Sequence, residues 1–338
     1  MHNNYYFLRQ LSPSLEKIIA GAVISECFSQ DKDELLFRFE TNSGSRYIKA
    51  SVLPDFSCLS FPSDFSRARK NSVDLFNATI GRRVMAVRQF RNERSFAIIL
   101  SDSYSILFKM HGNRANVLLF EKEQLIELFR KNIEADRAIL IAAMDRDIDW
   151  SYDAFEKNVG NLPGLYFTFG KIVWGHVLSL GFENLSLGNK WEAIQAMIKS
   201  LEQPSYYVTE VVRKPVLSLL RVGNVIREWN NPMEALNDFY YTRTHVYALQ
   251  KLRNTILSDL KSRLVSSTNY CIKNRDKLKE HKRSDRYREW ADLLMANMHL
   301  IDSHAEKIVL ENIYHDNRPR EIPLKKDLSP QKNAGIYF

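Results

Sequence analysis

The sequence predicts an α+β fold made of an antiparallel-sheet N-terminal domain, a helical middle domain and a long helical arm. Three observations carry that prediction. Residues 22–120 break into short β-prone runs separated by turn residues, connections that suit hairpins and are too short for parallel crossovers. Residues 130–240 carry helical apolar spacing, punctuated by a glycine turn. From Val246 to His281 there is neither glycine nor proline, and Leu249, Leu252, Ile256, Leu260 and Leu264 fall on one stripe.

Taken in order, a helix is predicted from Ser12, where Ser12-Pro13 supplies an N-cap and a first helical residue, with Leu15, Ile18 and Ile19 on its apolar side. Gly21 leads into strands at residues 22–28, 34–40 and 45–52. Residues 63–79 place Phe65, Ala68, Val73, Phe76 and Ala78 at roughly helical spacing, which predicts a helix closed by Gly81. Four more strands follow at residues 83–90, 94–101, 104–110 and 115–120. Their turns are Arg91-Asn-Glu93, Ser101-Asp-Ser103 and His111-Gly-Asn-Arg114. Residues 1–125 thus form the first domain, and residues 130–240 the helical second one.

Within that second domain, Gly160-Asn-Leu-Pro-Gly164 separates two short helices. Such a turn suits a phosphate-facing helix-hairpin-helix, and equally a plain helix connection. The glycine-free helix beyond it, at 1.5 Å per residue, would be roughly 50 Å long and should project as an arm over residues 246–302. Residues 286–301 repeat Trp290, Leu293, Leu294, Ala296, Met298 and Ile301 as an amphipathic helix. The last segment, residues 303–338, reads as two strands, 307–313 and 320–324, then a helix with Ser329 as N-cap and Pro330 first.

With 338 residues, the chain can bury two or three cores, and 45% hydrophobic content with 12 Gly and 10 Pro excludes a disordered or collagen-like chain. A net charge of +8 favours polyanionic partners, nucleic acid or an acidic membrane face, although many basic proteins bind neither. Cys27, Cys58 and Cys271 are odd in number, far apart and without metal spacing, as reduced cytoplasmic thiols would be. The apolar run 18–24 follows Glu16 and Lys17, unlike a secretion signal, and no run approaches the ~20 residues of a membrane span. A cytoplasmic protein is expected.

Enzymatic constellations are missing. His299 and His304 stand five apart, off the spacing of paired helical metal ligands, and no glycine-rich loop precedes Lys and Ser or Thr. No metal, cofactor or small-molecule substrate is expected. The densest basic stretch holds Arg82, Arg83, Arg88, Arg91 and Arg94 against Glu93. It reads either as a phosphate-binding turn, since guanidinium donates paired hydrogen bonds, or as a charge-protected sheet edge. A second basic run, Lys273, Arg275, Lys277, Lys279, Lys282 and Arg283, lies on the arm helix and reads either as solvated coiled-coil charge or as rRNA contact.

Collinear wording at the C-terminal side gives these features a family resemblance. Leu293-Leu294-x-Ala296-Asn297, a strand pair ending Ile322-Pro-Leu324, then Leu328-Ser-Pro-x-x-Asn333-Ala-x-x-Tyr337-Phe338 resembles the NFACT family, the RqcH and fibronectin-binding protein A type. The resemblance implies a first domain similar in fold to formamidopyrimidine-type glycosylase N-domains, helix-hairpin-helix segments and a coiled-coil arm. Its second strand would begin where this chain ends. It also implies a factor that binds the large ribosomal subunit and positions alanyl-tRNA for untemplated C-terminal tailing of stalled chains, the ribosome making the bonds.

The family's Gln-x-x-x-Asp-Arg signature, implicated in holding tRNA, falls on Gln89, Glu93 and Arg94, with glutamate in place of aspartate. Its second acid falls on Asn4. By that resemblance the tRNA site comprises Glu93, Arg94 and Asn4, with Arg91 and Arg88 beside them. Gly112 and Asn116, which match a later family pattern, are expected to serve a turn. An adhesin binding fibronectin or fibrinogen would require export, and a glycosylase-like DNA-binding enzyme would require a proline directly after the initiator methionine, where this chain has His2.

Overall fold

The computed structural model describes every residue of the chain except 213 and 303, and every side chain except those two and 247 and 251. The boundary expected at residue 303 therefore lies outside the described residues. Two compact units divide the chain, Met1–Ala248 and Leu249–Phe338.

The first unit opens with α1 (Tyr5–Ile19), whose N-cap is Asn4, the Oδ1 of which accepts the Tyr6 N–H at 2.9 Å. This corrects the helix start expected at Ser12. Ser12 and Pro13 lie inside α1, and the Ser12 hydroxyl donates to the Leu8 carbonyl at 2.9 Å. One missing N–H is outweighed by a face of Tyr6, Phe7, Leu8, Leu11, Leu15 and Ile19 that is wholly buried.

Two five-stranded antiparallel sheets follow. The first holds β1 (Val23–Asp31), β2 (Glu34–Thr41), β3 (Gly44–Leu53), β4 (Phe56–Ser60) and β5 (Val73–Asp74) in the order β4-β3-β2-β1-β5. The second is a plain meander of β6 (Val84–Gln89), β7 (Ser95–Leu100), β8 (Tyr104–Lys109), β9 (Asn116–Glu121) and β10 (Gln124–Leu128). The helix expected over residues 63–79 is absent. Phe65 packs on Phe28 and Tyr47, while Phe76 is fully buried in the main core with φ 51°, so the two rings serve different clusters, and the chain between them bends at residues 69–71 and pairs only at Val73–Asp74.

The main core lies between the sheets and α1, where Phe37 meets Phe108 with ring centroids 5.9 Å apart. Phe96, Ile98 and Leu100 of β7 face it, whereas Ala97 faces a second cluster with Phe90, Leu107, Leu118, Phe120 and Ile141. Burial on both faces explains why these strands read as nearly continuous apolar runs.

The middle of the unit carries α2 (Tyr152–Lys157), α3 (Leu162–Leu165), α4 (Gly170–Ser179) and α5 (Leu187–Glu202). An all-helical middle domain is then corrected by β11 (Tyr206–Val211), β12 (Lys214–Ser218) and β13 (Asn224–Trp229), an antiparallel sheet in the order β12-β11-β13. The aromatic and β-branched run at Tyr206–Val211 is the local signal for it. In the glycine turn, Asn161 Oδ1 caps α3 by accepting the Gly164 N–H at 3.2 Å. A Cβ at Gly164 would come within 2.5 Å of the Asn161 amide, which accounts for the glycine.

A single helix, α6 (Pro232–Ala296), replaces the two helices expected at 246–281 and 286–301. Its first turns bury Ala235, Leu236, Phe239 and Tyr240 in the first unit's core. Leu249, Leu252, Ile256, Leu260 and Leu264 are exposed.

In the second unit, β14 (Lys307–Asn312) and β15 (Arg318–Pro323) pair as a hairpin, followed by α7 (Pro330–Tyr337) with Ser329 capping and Pro330 first, as expected. Leu293 and Leu294 pack with Leu310, Ile322 and Ala334. Asn333 accepts the Lys325 N–H at 2.7 Å and donates to the carbonyls of Leu328 and Lys325 at 3.0 and 3.1 Å, and the Tyr337 hydroxyl donates to the Pro323 carbonyl at 2.6 Å. The residues that make the C-terminal wording distinctive thus hold this unit together. Among the described residues no helix is long and apolar enough to cross a membrane, and no cluster of His, Cys, Asp or Glu is placed to hold a metal ion.

Candidate nucleic-acid interface

A cleft of about 640 Å³ opens in the first unit between the start of α1, the β6–β7 turn, the turn after β8 and the start of α4. It brings Asn4 together with the distant pair Glu93 and Arg94, and adds His111, Arg114, Arg146 and Lys171.

The β6–β7 turn is built by its own residues. Asn92 takes a left-handed backbone at φ 53°, and the Gln89 amide donates across the turn to the carbonyls of Phe90 and Glu93 at 3.2 and 2.8 Å. The glutamine of the signature is therefore the brace of the turn. It is itself held by the Ser12 hydroxyl of α1 at 3.2 Å. With the turn fixed, β7 begins at Ser95, and Arg94 sits just outside it, exposed. Placing the guanidinium beyond the strand end avoids the cost of pointing a charge inward along the Phe96 and Ile98 face.

Glu93 is buried, and its Oε1 accepts from the Arg94 N–H at 2.7 Å and lies 2.8 Å from His111 Nε2. Its Oε2 lies 3.8 Å from Arg146 Nη1 and has no closer partner among the described residues. Burial pushes this carboxyl up, but the hydrogen bonds from His111 and the Arg94 amide, with the charges of His111 and Arg146, outweigh it and hold the group below its ordinary 4.5. A depressed folded value stabilises the fold above the unfolded value and loses that contribution as pH falls through the folded one. Melting curves of Glu93→Gln and the parent chain should therefore differ most near neutrality and converge in acid, once pH has fallen through the depressed folded value. Curves that stay parallel into acid would remove the ionised carboxylate from the account.

Arg146 also stacks over the Phe167 ring, 4.0 Å from its centroid. Among the described residues, the side chains of Arg94, Arg114 and Lys171 have neither an ion-pair partner nor a hydrogen bond to protein. One ionised carboxylate beside several unengaged cations and a stacked aromatic suits a nucleotide. Phosphate oxygens are drawn to the cations, and a base N–H donor can approach the open Oε2.

Asn4 has a second task beyond capping α1. Its Nδ2 donates to the carbonyls of Thr168 and Phe169 at 2.7 and 3.1 Å, tying the first helix to the start of α4 across the cleft floor. An aspartate there would offer those carbonyls no donor.

Arg88 and Arg91 do not line the cleft. Arg88 Nη2 pairs with Asp145 at 2.9 Å, the Arg91 N–H donates to Asp145 at 2.8 Å, and Arg91 Nη2 pairs with Asp147 at 3.3 Å. The hydrogen bond from the Arg91 amide chiefly draws the Asp145 carboxyl below its ordinary range; burial opposes it, and the hydrogen bond and charge of Arg88 add to the lowering. These contacts zip the turn to residues 145–147 and thereby position Arg146. Asn116 is likewise structural, donating to Asp136 at 2.7 Å and accepting from Val117 and Arg130 amides at 2.9 and 2.7 Å, while Gly112 supplies φ 63°. Lys273, Arg275, Lys277, Lys279, Lys282 and Arg283 are exposed on α6 in the second unit, with Arg275 3.6 Å from Asp276. His111, Arg114, Arg146 and Lys171 were not expected as site residues, since they come from three separate segments, the turn after β8, the stretch before α2 and the start of α4, with no shared spacing.

Comparisons with known proteins agree with this architecture. The family model described as NFACT N-terminal and middle domains matches residues 180–338. Two curated relatives, both Rqc2 homolog RqcH of Streptococcus pneumoniae, strains ATCC BAA-255 / R6 and D39 / NCTC 7466, are 19% and 18% identical over 98% of this chain. The chain spans 64% of their length. The crystal structure of the fibrinogen binding protein from Staphylococcus aureus is similar with a TM-score of 0.52 at 13% identity, covering 71% of this chain and 99% of that one. The N-terminal part of the fibronectin/fibrinogen-binding protein from Streptococcus suis gives 0.51 at 15% identity, with 71% and 98% covered. At these identities the two structures speak for the fold alone.

Proposed function

Since the chain belongs to the NFACT family, we propose that it is a tRNA-binding factor of ribosome-associated quality control. It acts on the large ribosomal subunit and positions alanyl-tRNA for C-terminal tailing. It makes no bond itself, and the catalysis belongs to the ribosome. The observation that carries this reading is the cleft, where Arg94, Arg114 and Lys171, unengaged among the described residues, surround one buried carboxylate, Glu93. The exposed cations of α6 are the proposed rRNA contact.

Arginine and lysine contacts to phosphate release counterions, so affinity must fall steeply with salt. Three such contacts contribute roughly −2 to −3 to the slope of log K against log salt for deacylated tRNA. Fluorescence anisotropy across a salt series measures it, and co-sedimentation with 50S particles tests the ribosomal part. Absence of tRNA and 50S binding together with tight fibrinogen binding would replace this reading by an adhesin.

A further inference from the structure

We propose that the cleft is one half of a longer groove, and that Lys214 and Arg243 form a second subsite for the same RNA strand; this rests on the reading above. A second cavity of about 360 Å³ shares Met1, His2, Asn3 and Ile172 with the first, so the two are contiguous over that ridge. The turn after β8 divides them. His111 and Arg114 face the first cavity, and Gly112 lines the second. A Cβ built on Gly112 meets nothing within 4 Å, so this wall stays open to a ligand.

The chemistry of the second cavity matches a single strand rather than a small anion. Lys214, exposed at the start of β12, and Arg243, half-buried on α6, have no carboxylate partner among the described residues, and Asp55 is the one acid lining the cavity. The Arg243 guanidinium lies over the Phe56 ring, 5.7 Å from its centroid, and Phe56 in turn stacks on Tyr240 with centroids 6.0 Å apart. A planar cation on an aromatic stack is a platform for a base, and the adjacent ammonium can meet its phosphate. His2, on the ridge, contributes no charge, because burial pushes its imidazole down to about 3. The Met1 amine is likewise lowered to about 5 by burial, so the ridge is a neutral step between two basic ends, over which an unpaired strand can pass.

The test uses the full chain, deacylated tRNA and a fluorescent oligouridylate too long for one cavity. Lys214→Ala with Arg243→Ala should weaken both probes at least tenfold and flatten the salt slope by about 1 to 2, since Lys214 neutralises a phosphate and Arg243, stacked on its base, adds a charge beside it. Arg243→Lys, which keeps the charge and removes the stacking plane, should keep the slope while reducing the affinity in part. Melting temperatures and far-UV circular dichroism establish that the variants are folded; if the double variant fails there, Arg243→Lys and Lys214→Ala singly carry the test. Unchanged affinity and slope in the Lys214 and Arg243 variants, with Arg94→Ala still impaired, would overturn the second subsite and leave the tRNA reading intact. Failure of the unaltered chain to bind either probe would overturn that reading itself.

Discussion

Asp136→Asn is expected to destabilise the Met1–Ala248 unit by about 3–5 kcal/mol. Asp136 is 1% exposed and pairs with Lys109, which is 6% exposed, while Asn116 donates to its other oxygen at 2.7 Å. Removing the carboxylate charge strands the ammonium in a low-dielectric interior, a far larger penalty than the pair's own net contribution. Replacing both partners together, Lys109→Met with Asp136→Leu, should recover most of the loss. Urea unfolding of the two variants gives the answer. A loss under about 1 kcal/mol for the single change would mean that water reaches Lys109 readily. The pair brackets the turn carrying His111 and Arg114, so binding should weaken wherever stability does.

Arg94→Ala should behave in the opposite way. Its side chain is exposed and without a protein partner among the described residues, and its backbone carbonyl still accepts the Met110 N–H at 2.9 Å. The melting temperature should stay within a few degrees, whereas tRNA affinity should fall by about 1.5–3 kcal/mol, the contribution of a hydrogen bond to a charged group. Paired calorimetry and anisotropy separate the two quantities. A large fall in stability with affinity unchanged would make Arg94 a structural residue.

The β-meander of the second sheet was legible because alternation and turn chemistry agree there, residue by residue, with tertiary burial. The start of α1 was not, because Ser12-Pro13 is a stronger local start signal than Asn4 followed by four bulky residues, and only packing against the sheets decides between them. Residues 63–79 misled for the converse reason. Apolar spacing implies one buried face, yet Phe65 and Phe76 are claimed by different clusters. In the site, Glu93, Arg94 and Asn4 were reached through resemblance, whereas Arg146 and Lys171 depend on turns that meet only in the folded chain. Arg88 and Arg91 show the limit of reading charge density. Local concentration marks a place where cations are needed, but Asp145 and Asp147, more than fifty residues on, decide which of them remain available.

The hydrogen bonds from Asn4 to Thr168 and Phe169 also set an order of events during synthesis. Chains emerge N-terminal end first, and the helix carrying Asn4 leaves the ribosome early. Its apolar face must then wait for β6 and β7, and its cap for residues roughly 160 positions later. Until that stretch has emerged, the cleft has no far wall and Arg94 no counterpart across it. In a nascent chain the cleft thus cannot close until the residues that open α4 have followed α1 out of the ribosome.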